Sequence, residues 1–90
     1  MTHMKKNILV VDDSALMRRV MCDIINLDSK FQATDYCRDG LEAYEKLKHT
    51  SYDGVVLDVN MPRMDGLQLL EKLQKEGIRA NVVMVSTLTD

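Results

Sequence analysis

One segment decides the fold, VVLDVNMPRMDG at residues 55–66. It begins with an unbroken apolar run, Val55 to Leu57, which is typical of a strand buried on both faces of a parallel sheet. The run ends on a carboxylate, Asp58, and Pro62 breaks the chain shortly afterwards. A charge at the end of a buried strand has either reached the surface or is held there for chemistry.

Working outward, strand-like and helix-like segments alternate along the whole chain. Alternation of this kind predicts an α/β fold, in which a parallel sheet with right-handed crossovers carries helices on both faces. The segment FQATDYC alternates apolar and polar residues and indicates a half-exposed or edge strand. Strands are predicted at 8–12, 31–37, 54–58 and 81–86, and helices at 15–27, 41–49 and 66–77.

Helix boundaries and apolar faces can also be predicted. Asp13–Ser14 and Asp39–Gly40 supply N-cap chemistry before the first two helices, and Gly77 is expected to end the third. Asp53 and Asp65 are interpreted as turn residues. Apolar side chains recur at helical spacing, and in the third helix they are expected to face the core. These residues are Leu16, Val20, Ile24 and Leu27; Leu41, Tyr44 and Leu47; and Leu67, Leu70 and Leu73.

The composition indicates one globular domain, residues 1–90, with 46% hydrophobic and 29% charged residues. A net charge of -2 gives no indication of a nucleic-acid or membrane partner. No apolar run approaches the ~20 residues of a membrane span, so a cytoplasmic location is expected. Cys22 and Cys37 match no metal-ligand spacing and are expected to be reduced thiols, with an incidental disulfide as the alternative. Residues 1–3 are interpreted as an expression remnant before Met4.

Oxygen-bearing side chains follow three of the predicted strands. The carboxyl ends of parallel strands share one edge, where ligands bind in open α/β sheets. All-oxygen donors suit Mg²⁺ better than Zn²⁺, and a cation would let neighbouring carboxylates stay ionised. Any one of these residues alone is more often a cap or a solvated turn residue, but their coincidence at one edge predicts a metal site. The set comprises Asp12, Asp13, Asp58 and Ser86.

An aspartate beside Mg²⁺ can also act as a nucleophile and accept a phosphoryl group as an acyl phosphate. The apolar strand would hold Asp58 rigidly while the loop side stays open to a phosphodonor. For Ser86, a structural role is as compatible with the sequence as a functional one.

At these residues the sequence resembles the receiver domain of response regulators, whose fold is flavodoxin-like. Within that family it is most similar to the regulatory domain of the chemotaxis protein-glutamate methylesterase. The segments that carry the resemblance are ILVVDDSALMRRVM, DGLEAYEKL, YDGVVLDVNMPRMDGLQLLEKL and VVMVSTLT.

The resemblance implies a role for each matching residue. Asp58 would be the phosphoacceptor and a metal ligand, and a histidine kinase the phosphodonor. Asp13 would bind Mg²⁺ directly, Asp12 partly through water, and Asn60 through its backbone carbonyl. Ser86 would be the switch hydroxyl. Methylesterase relatives often carry an acidic residue at position 60, so the lifetime of the phosphoryl group is left open.

The resemblance ends after the fourth strand. A receiver continues with a fourth helix, a fifth strand bearing a lysine, and a fifth helix, and Lys72 and Lys75 in the third helix cannot replace that lysine. We therefore expect a truncated receiver that is phosphorylated poorly or not at all. The esterase domain is expected to be absent, so the chain is not expected to be an enzyme. Two alternatives are a small Mg²⁺-dependent phosphohydrolase and an excised half-domain for folding or assembly.

The family's strand order, 2-1-3-4-5, would leave the fourth strand as an open apolar edge. Natural proteins avoid such edges, and a second copy of the chain is the simplest cover. A homodimer or larger oligomer is therefore expected, with a partly unfolded monomer as the alternative. The expected interface includes Val82, Val83, Met84 and Val85.

Overall fold

The computed structural model describes residues 4–58 and 64–85. The predicted order of elements is confirmed, with strand and helix ends within two residues of the predicted ones at most positions. The elements are β1 (Lys6–Val11), α1 (Ala15–Leu27), β2 (Phe31–Cys37), α2 (Gly40–His49), β3 (Gly54–Asp58), α3 (Gly66–Lys75) and β4 (Val82–Val85). Among the described residues, no helix is long and apolar enough to cross a membrane.

The four strands form one parallel sheet in the order β2-β1-β3-β4, as expected. Val11 at the end of β1 pairs with Leu57 in β3, and Asp58 pairs with Val85 in β4. The carboxyl ends of the strands are therefore aligned at one edge. The predicted edge strand, β2, shifts register between Ile8 and Leu9 of β1, which is the local irregularity typical of sheet edges.

The helices cover the two faces of the sheet unequally. Helix α1 packs on one face through Met21, against Ile8 and Val10. Helices α2 and α3 pack on the other face, where the larger core lies. That core contains Leu9, Val11, Cys37, Ala43, Tyr44, Leu47, Val55, Leu57, Leu69 and Leu73.

The predicted apolar faces of the helices need correction. The stripe on α1 does not contact the sheet: Leu16 is 71% exposed and Leu27 is 85% exposed. The neighbouring side of α1 faces inward instead, with Met21 buried and Ile25 packed beside it. Because α1 carries apolar residues on both sides, spacing alone could not identify the buried one.

The predicted apolar faces of α2 and α3 need correction at their first leucines. Leu41 and Leu67 lie on the exposed side, Leu67 being 62% exposed. Ala43 and Leu69 fill the core positions beside Tyr44, Leu47 and Leu73. Tyr44, Leu47 and Leu73 of the predicted stripes lie in the core, whereas Leu41 and Leu67, near the starts of α2 and α3, are exposed.

The helix ends agree with the predicted caps. The side chains of Ser14 and Asp39 accept hydrogen bonds from the backbone N–H groups of Met17 and Glu42. Asp65, interpreted as a turn residue, caps α3 in a capping box with Gln68. Gly77 ends α3 with a left-handed φ of 69°, where glycine avoids the steric cost of a side chain.

Candidate metal centre

Three carboxylates meet where β1 and β3 end. Asp12 and Asp13 directly follow β1, and Asp58 is the last residue of β3. The pairing of Val11 with Leu57 brings these two strand ends together. One carboxylate oxygen from each of the three residues lies within 4.8 Å of the others. The geometry therefore brings together three of the residues that the sequence placed at this edge.

The three side chains differ in their exposure. Asp12 is only 1% exposed and Asp58 only 2%, whereas Asp13 faces solvent. Asp12 and Asp58 are thus held in the interior, and Asp13 lies beside them at the surface. Such a cluster is unfavourable in isolation, because like charges in a partly desolvated site repel one another.

Asp12 is held rigidly by its backbone and by one carboxylate oxygen. Its backbone N–H donates to the carbonyl of Cys37 at 3.1 Å, and its own carbonyl accepts a hydrogen bond from Arg18 Nη1 at 2.8 Å. Oδ1 accepts the backbone N–H of Ser14 at 2.9 Å. The remaining oxygen, Oδ2, is buried and has no hydrogen-bond partner among residues 4–58 and 64–85. A buried oxygen of this kind is costly unless a cation or water completes it.

The electrostatics of the cluster favour a cation. Burial raises the pKa of Asp12, the Ser14 N–H lowers it, and the charges of Asp58 and Asp13 raise it further. A bound divalent cation would reverse this balance, since it stabilises every ionised carboxylate around it. The donor set is entirely oxygen, which suits Mg²⁺ and does not suit a thiolate- or imidazole-seeking metal. The residues present therefore fit a Mg²⁺ ion.

Two predicted site residues, Asn60 and Ser86, lie outside the described residues. The cysteines do not belong to the cluster. Both Cys22 and Cys37 are free thiols, and burial raises the pKa of Cys37 to about 12. Cys37 therefore stays protonated at neutral pH and contributes to the core.

Two contacts near the site were not anticipated from the sequence. One is the hydrogen bond from Arg18 to the Asp12 carbonyl, which fixes the backbone at the end of β1. The other is a hydrogen bond from Gly40 N–H to the carbonyl of Met64 at 3.1 Å. Arginine is common at half-exposed helix positions, so nothing in the sequence indicated the Arg18 contact. For the Gly40 contact, the helix start at Asp39–Gly40 was the one available signal.

The raised pKa of Asp12 leads to a prediction about stability. Without metal, the favourable contribution of Asp12 is fully present below its unfolded-state pKa, near 3.8, and is lost as the pH rises through its folded-state pKa. Asp12→Asn removes this loss, keeps an oxygen for Ser14 N–H, and should therefore raise the free energy of unfolding of the metal-free chain at pH 7.

Urea unfolding of parent and variant at pH 4 and pH 7 checks this prediction. The advantage of Asp12→Asn should be larger at pH 7 than at pH 4 and should shrink when Mg²⁺ is added. Asp23→Asn on the exposed side of α1 makes the same charge change, and its Asp23–Arg19 pair is largely solvated, so it should change stability little. An advantage of Asp12→Asn that is equal at both pH values would contradict the assignment.

Comparison with known proteins agrees with the geometry. The family model described as "Response regulator receiver domain" matches residues 8–90. A protein-glutamate methylesterase/protein-glutamine glutaminase of Pyrococcus abyssi is 46% identical over 89 residues, covering 99% of this chain and 24% of the relative. The chain thus spans about a quarter of that relative's length.

Two solved structures share the fold and part of the sequence. The response regulator domain of Thermotoga maritima CheB superposes with a TM-score of 0.85 at 38% identity, covering 97% of this chain and 64% of that one. A chain of the CheX-CheY-BeF3-Mg²⁺ complex from Borrelia burgdorferi gives a TM-score of 0.81 at 34% identity, with coverages of 94% and 64%. With its aspartate cluster at the carboxyl edge of a 2-1-3-4 parallel sheet, the chain belongs to the response regulator receiver domains.

Proposed function

We propose that Asp58 accepts a phosphoryl group in the presence of Mg²⁺ and that this modification is the signal of a chemotaxis two-component system. The observation that carries the proposal is the cluster of three carboxylates within 4.8 Å, in which Asp12 Oδ2 is buried and has no hydrogen-bond partner in the described part of the chain. Three neighbouring carboxylates repel one another, but they fit a site that binds a cation and a phosphoryl group.

The proposed reaction is a direct transfer. A carboxylate oxygen of Asp58 attacks the phosphorus of a phosphohistidine on a kinase, the P–N bond breaks, and the histidine leaves as a neutral imidazole because its other ring nitrogen already carries a proton taken from water. Asp58 is the last residue of the buried strand β3, and this position holds it in place for attack. Mg²⁺, when bound, offsets the negative charge that accumulates on the transferring group.

Further residues would bind Mg²⁺ or contact the phosphoryl group. Asp13 and Asp58 would ligate Mg²⁺ directly and Asp12 partly through water, with the backbone carbonyl of Asn60 completing the protein ligands. The hydroxyl of Ser86 would turn toward the phosphoryl oxygens. The Borrelia burgdorferi CheY complex, which contains BeF3 and Mg²⁺, supports this assignment by analogy.

The methylesterase relatives suggest the signalling context. We propose that the natural phosphodonor is a histidine kinase in the cytoplasm and that the domain acts as a switch without hydrolase activity of its own. Methylesterase activity is not proposed for this chain. The receiver family model matches residues 8–90, and the chain spans about a quarter of the methylesterase relative.

A small phosphodonor tests the proposal. The chain is incubated with acetyl phosphate and Mg²⁺, and its intact mass is followed to a plateau. A single phosphoryl addition that requires Mg²⁺ is expected, whereas repeated donor hydrolysis without an adduct would favour a phosphohydrolase. Slow phosphorylation of these ninety residues taken alone stays a prediction. It is checked by comparing their phosphorylation rate with that of a chain extended to the length of the receiver relatives.

We also propose that the ninety residues associate with a second copy of themselves. On the face covered by α1, Val83 of β4 is 61% exposed and Val85 is half-buried. Val83 and the stripe on α1 are exposed apolar residues on the same side of the sheet, and a soluble monomer seldom leaves large apolar patches open. Among the described residues β4 pairs only with β3, and in the proposed association its other edge pairs with a matching β4 across a two-fold axis.

Val83→Lys tests this association. A lysine in the middle of the interface should raise the dimer dissociation constant by about tenfold or more. Thr34→Lys places the same charge in the exposed edge strand β2 and serves as the control. Light scattering over a range of concentrations measures both variants. A parent chain that is a compact, folded monomer at high concentration would refute the association.

A further inference from the structure

Arg18 lies in the first turn of α1, and its side chain reaches back to the end of β1. The residue is half-buried, and its Nη1 donates to the backbone carbonyl of Asp12 at 2.8 Å. The carboxylate of that same Asp12 belongs to the cluster. Arg18 therefore holds the peptide unit that joins two members of the cluster, Asp12 and Asp13.

The guanidinium of Arg18 also contacts an aromatic ring. Tyr36 of β2 pairs with Val10 in the sheet, and Val10 packs on the face covered by α1. Cζ of Arg18 lies 5.7 Å from the centroid of the Tyr36 ring, within the range of cation–π interactions. The planar guanidinium is thus held between the ring on β2 and the carbonyl at the end of β1, which limits the orientations it can adopt.

The peptide unit held by Arg18 determines where Asp13 lies. A peptide unit is planar, so the direction of the Asp12 carbonyl also sets the direction of the next Cα atom. On the other side of this connection, Asp12 Oδ1 accepts the backbone N–H of Ser14 at 2.9 Å, which is the hydrogen bond of an Asx turn. Asp13 is exposed, so packing restrains it little, and these two hydrogen bonds orient its backbone.

We propose that Arg18 is a positioning residue for the metal site. Its hydrogen bond to the Asp12 carbonyl fixes the backbone between Asp12 and Asp13, which keeps both carboxylates within reach of one cation together with that of Asp58. This inference rests on the proposed function and adds to it a cationic residue that acts on the metal ligands through the backbone.

Charge alone predicts the opposite effect on metal affinity. Arg18 and Mg²⁺ are both positive, so loss of the guanidinium should tighten Mg²⁺ binding if only the charge of Arg18 matters. A purely structural role predicts a third result, in which the free energy of unfolding falls and the metal affinity of the folded chain stays unchanged. The direction of the change in affinity therefore separates the three roles.

Arg18→Met is expected to raise the Mg²⁺ dissociation constant about tenfold, the lower end of the effect of outer contacts in metal sites. Methionine removes the donor and the charge but is unbranched and has a high helix propensity, so α1 should still form. Titration calorimetry with Mg²⁺ alone measures the constant under conditions where circular dichroism shows every variant to be folded.

Arg19→Met is the matched control. It makes the same chemical change at the next residue of the same helix, where the side chain is 82% exposed and lies 3.9 Å from Asp23. It removes the same charge and leaves the hydrogen bond of Arg18 in place, so the dissociation constant should stay unchanged or fall slightly. An Arg18→Met variant that binds Mg²⁺ as tightly as Arg19→Met does would overturn the inference.

A second measurement uses the metal-free chain. If Arg18 fixes this backbone before a cation binds, its loss should loosen the Asx turn between Asp12 and Ser14. Hydrogen exchange at the Ser14 amide should therefore be several-fold faster in Arg18→Met than in the parent. The Lys30 amide is the internal control, because it donates to Asp28 Oδ1 at 2.8 Å with the same two-residue spacing just after the other end of α1. Its exchange should accelerate less, since it senses only the general loss of stability.

The outcomes distinguish the two proposals. A parent chain that does not bind Mg²⁺ refutes the proposed function and this inference together. Mg²⁺ binding by the parent, with equal acceleration of exchange at Ser14 and Lys30 in Arg18→Met, refutes the positioning role and leaves the proposed function standing.

Discussion

Asp58→Asn is expected to eliminate the phosphoryl adduct completely. The amide of asparagine has nearly the shape of the carboxylate but is not a nucleophile, so the buried strand end stays filled while the attacking oxygen is lost. The change also removes one of three neighbouring negative charges, so the variant should be at least as stable as the parent. Intact mass after incubation with acetyl phosphate and Mg²⁺ measures the adduct, and circular dichroism confirms the fold.

Asp65→Asn is the matched control for that experiment. It makes the same chemical change a few residues further on, and asparagine caps a helix about as well as aspartate. The adduct should form on this variant as on the parent. An undiminished adduct on Asp58→Asn would show that another residue accepts the phosphoryl group.

Asp13→Ala is expected to weaken Mg²⁺ binding by about a hundredfold, the upper range seen when contacts of a metal site are removed. Asp13 is the exposed member of the cluster, and without it only two carboxylates remain. Calorimetric titration measures the loss, and Asp23→Ala on the exposed surface of α1 is the control. Unchanged metal binding by Asp13→Ala would reject the assignment of the metal site.

The arrangement of the sheet could be predicted because recognisable residues mark the ends of its strands and the starts of its helices. Asp12 directly follows the apolar strand β1, Asp58 ends β3, and the caps Ser14 and Asp39 mark the starts of helices. The buried faces of the helices were harder, since Leu67 and Leu69 are equally apolar and only the docking angle of α3 decides which is buried. Such choices depend on tertiary packing and cannot be read from spacing.

The carboxylate cluster could be predicted for a similar reason. Parallel strands end at a common edge, so Asp12, Asp13 and Asp58 had to lie near one another once their strands were recognised. The Gly40–Met64 contact could not be predicted, because it depends on how closely two backbones approach. Nor could the burial of Asp12 Oδ2 away from any hydrogen-bond partner among the described residues, which depends on the positions of the atoms around it.

The most direct test of the central claim is to locate the phosphoryl group chemically. Borohydride reduces an aspartyl phosphate to homoserine, so treatment of the phosphorylated chain, followed by peptide mass mapping, identifies the modified residue. The account predicts homoserine at position 58, formed only when donor and Mg²⁺ are both present. Homoserine at position 12 or 13, or an adduct that resists borohydride because it lies on a hydroxyl, would contradict it.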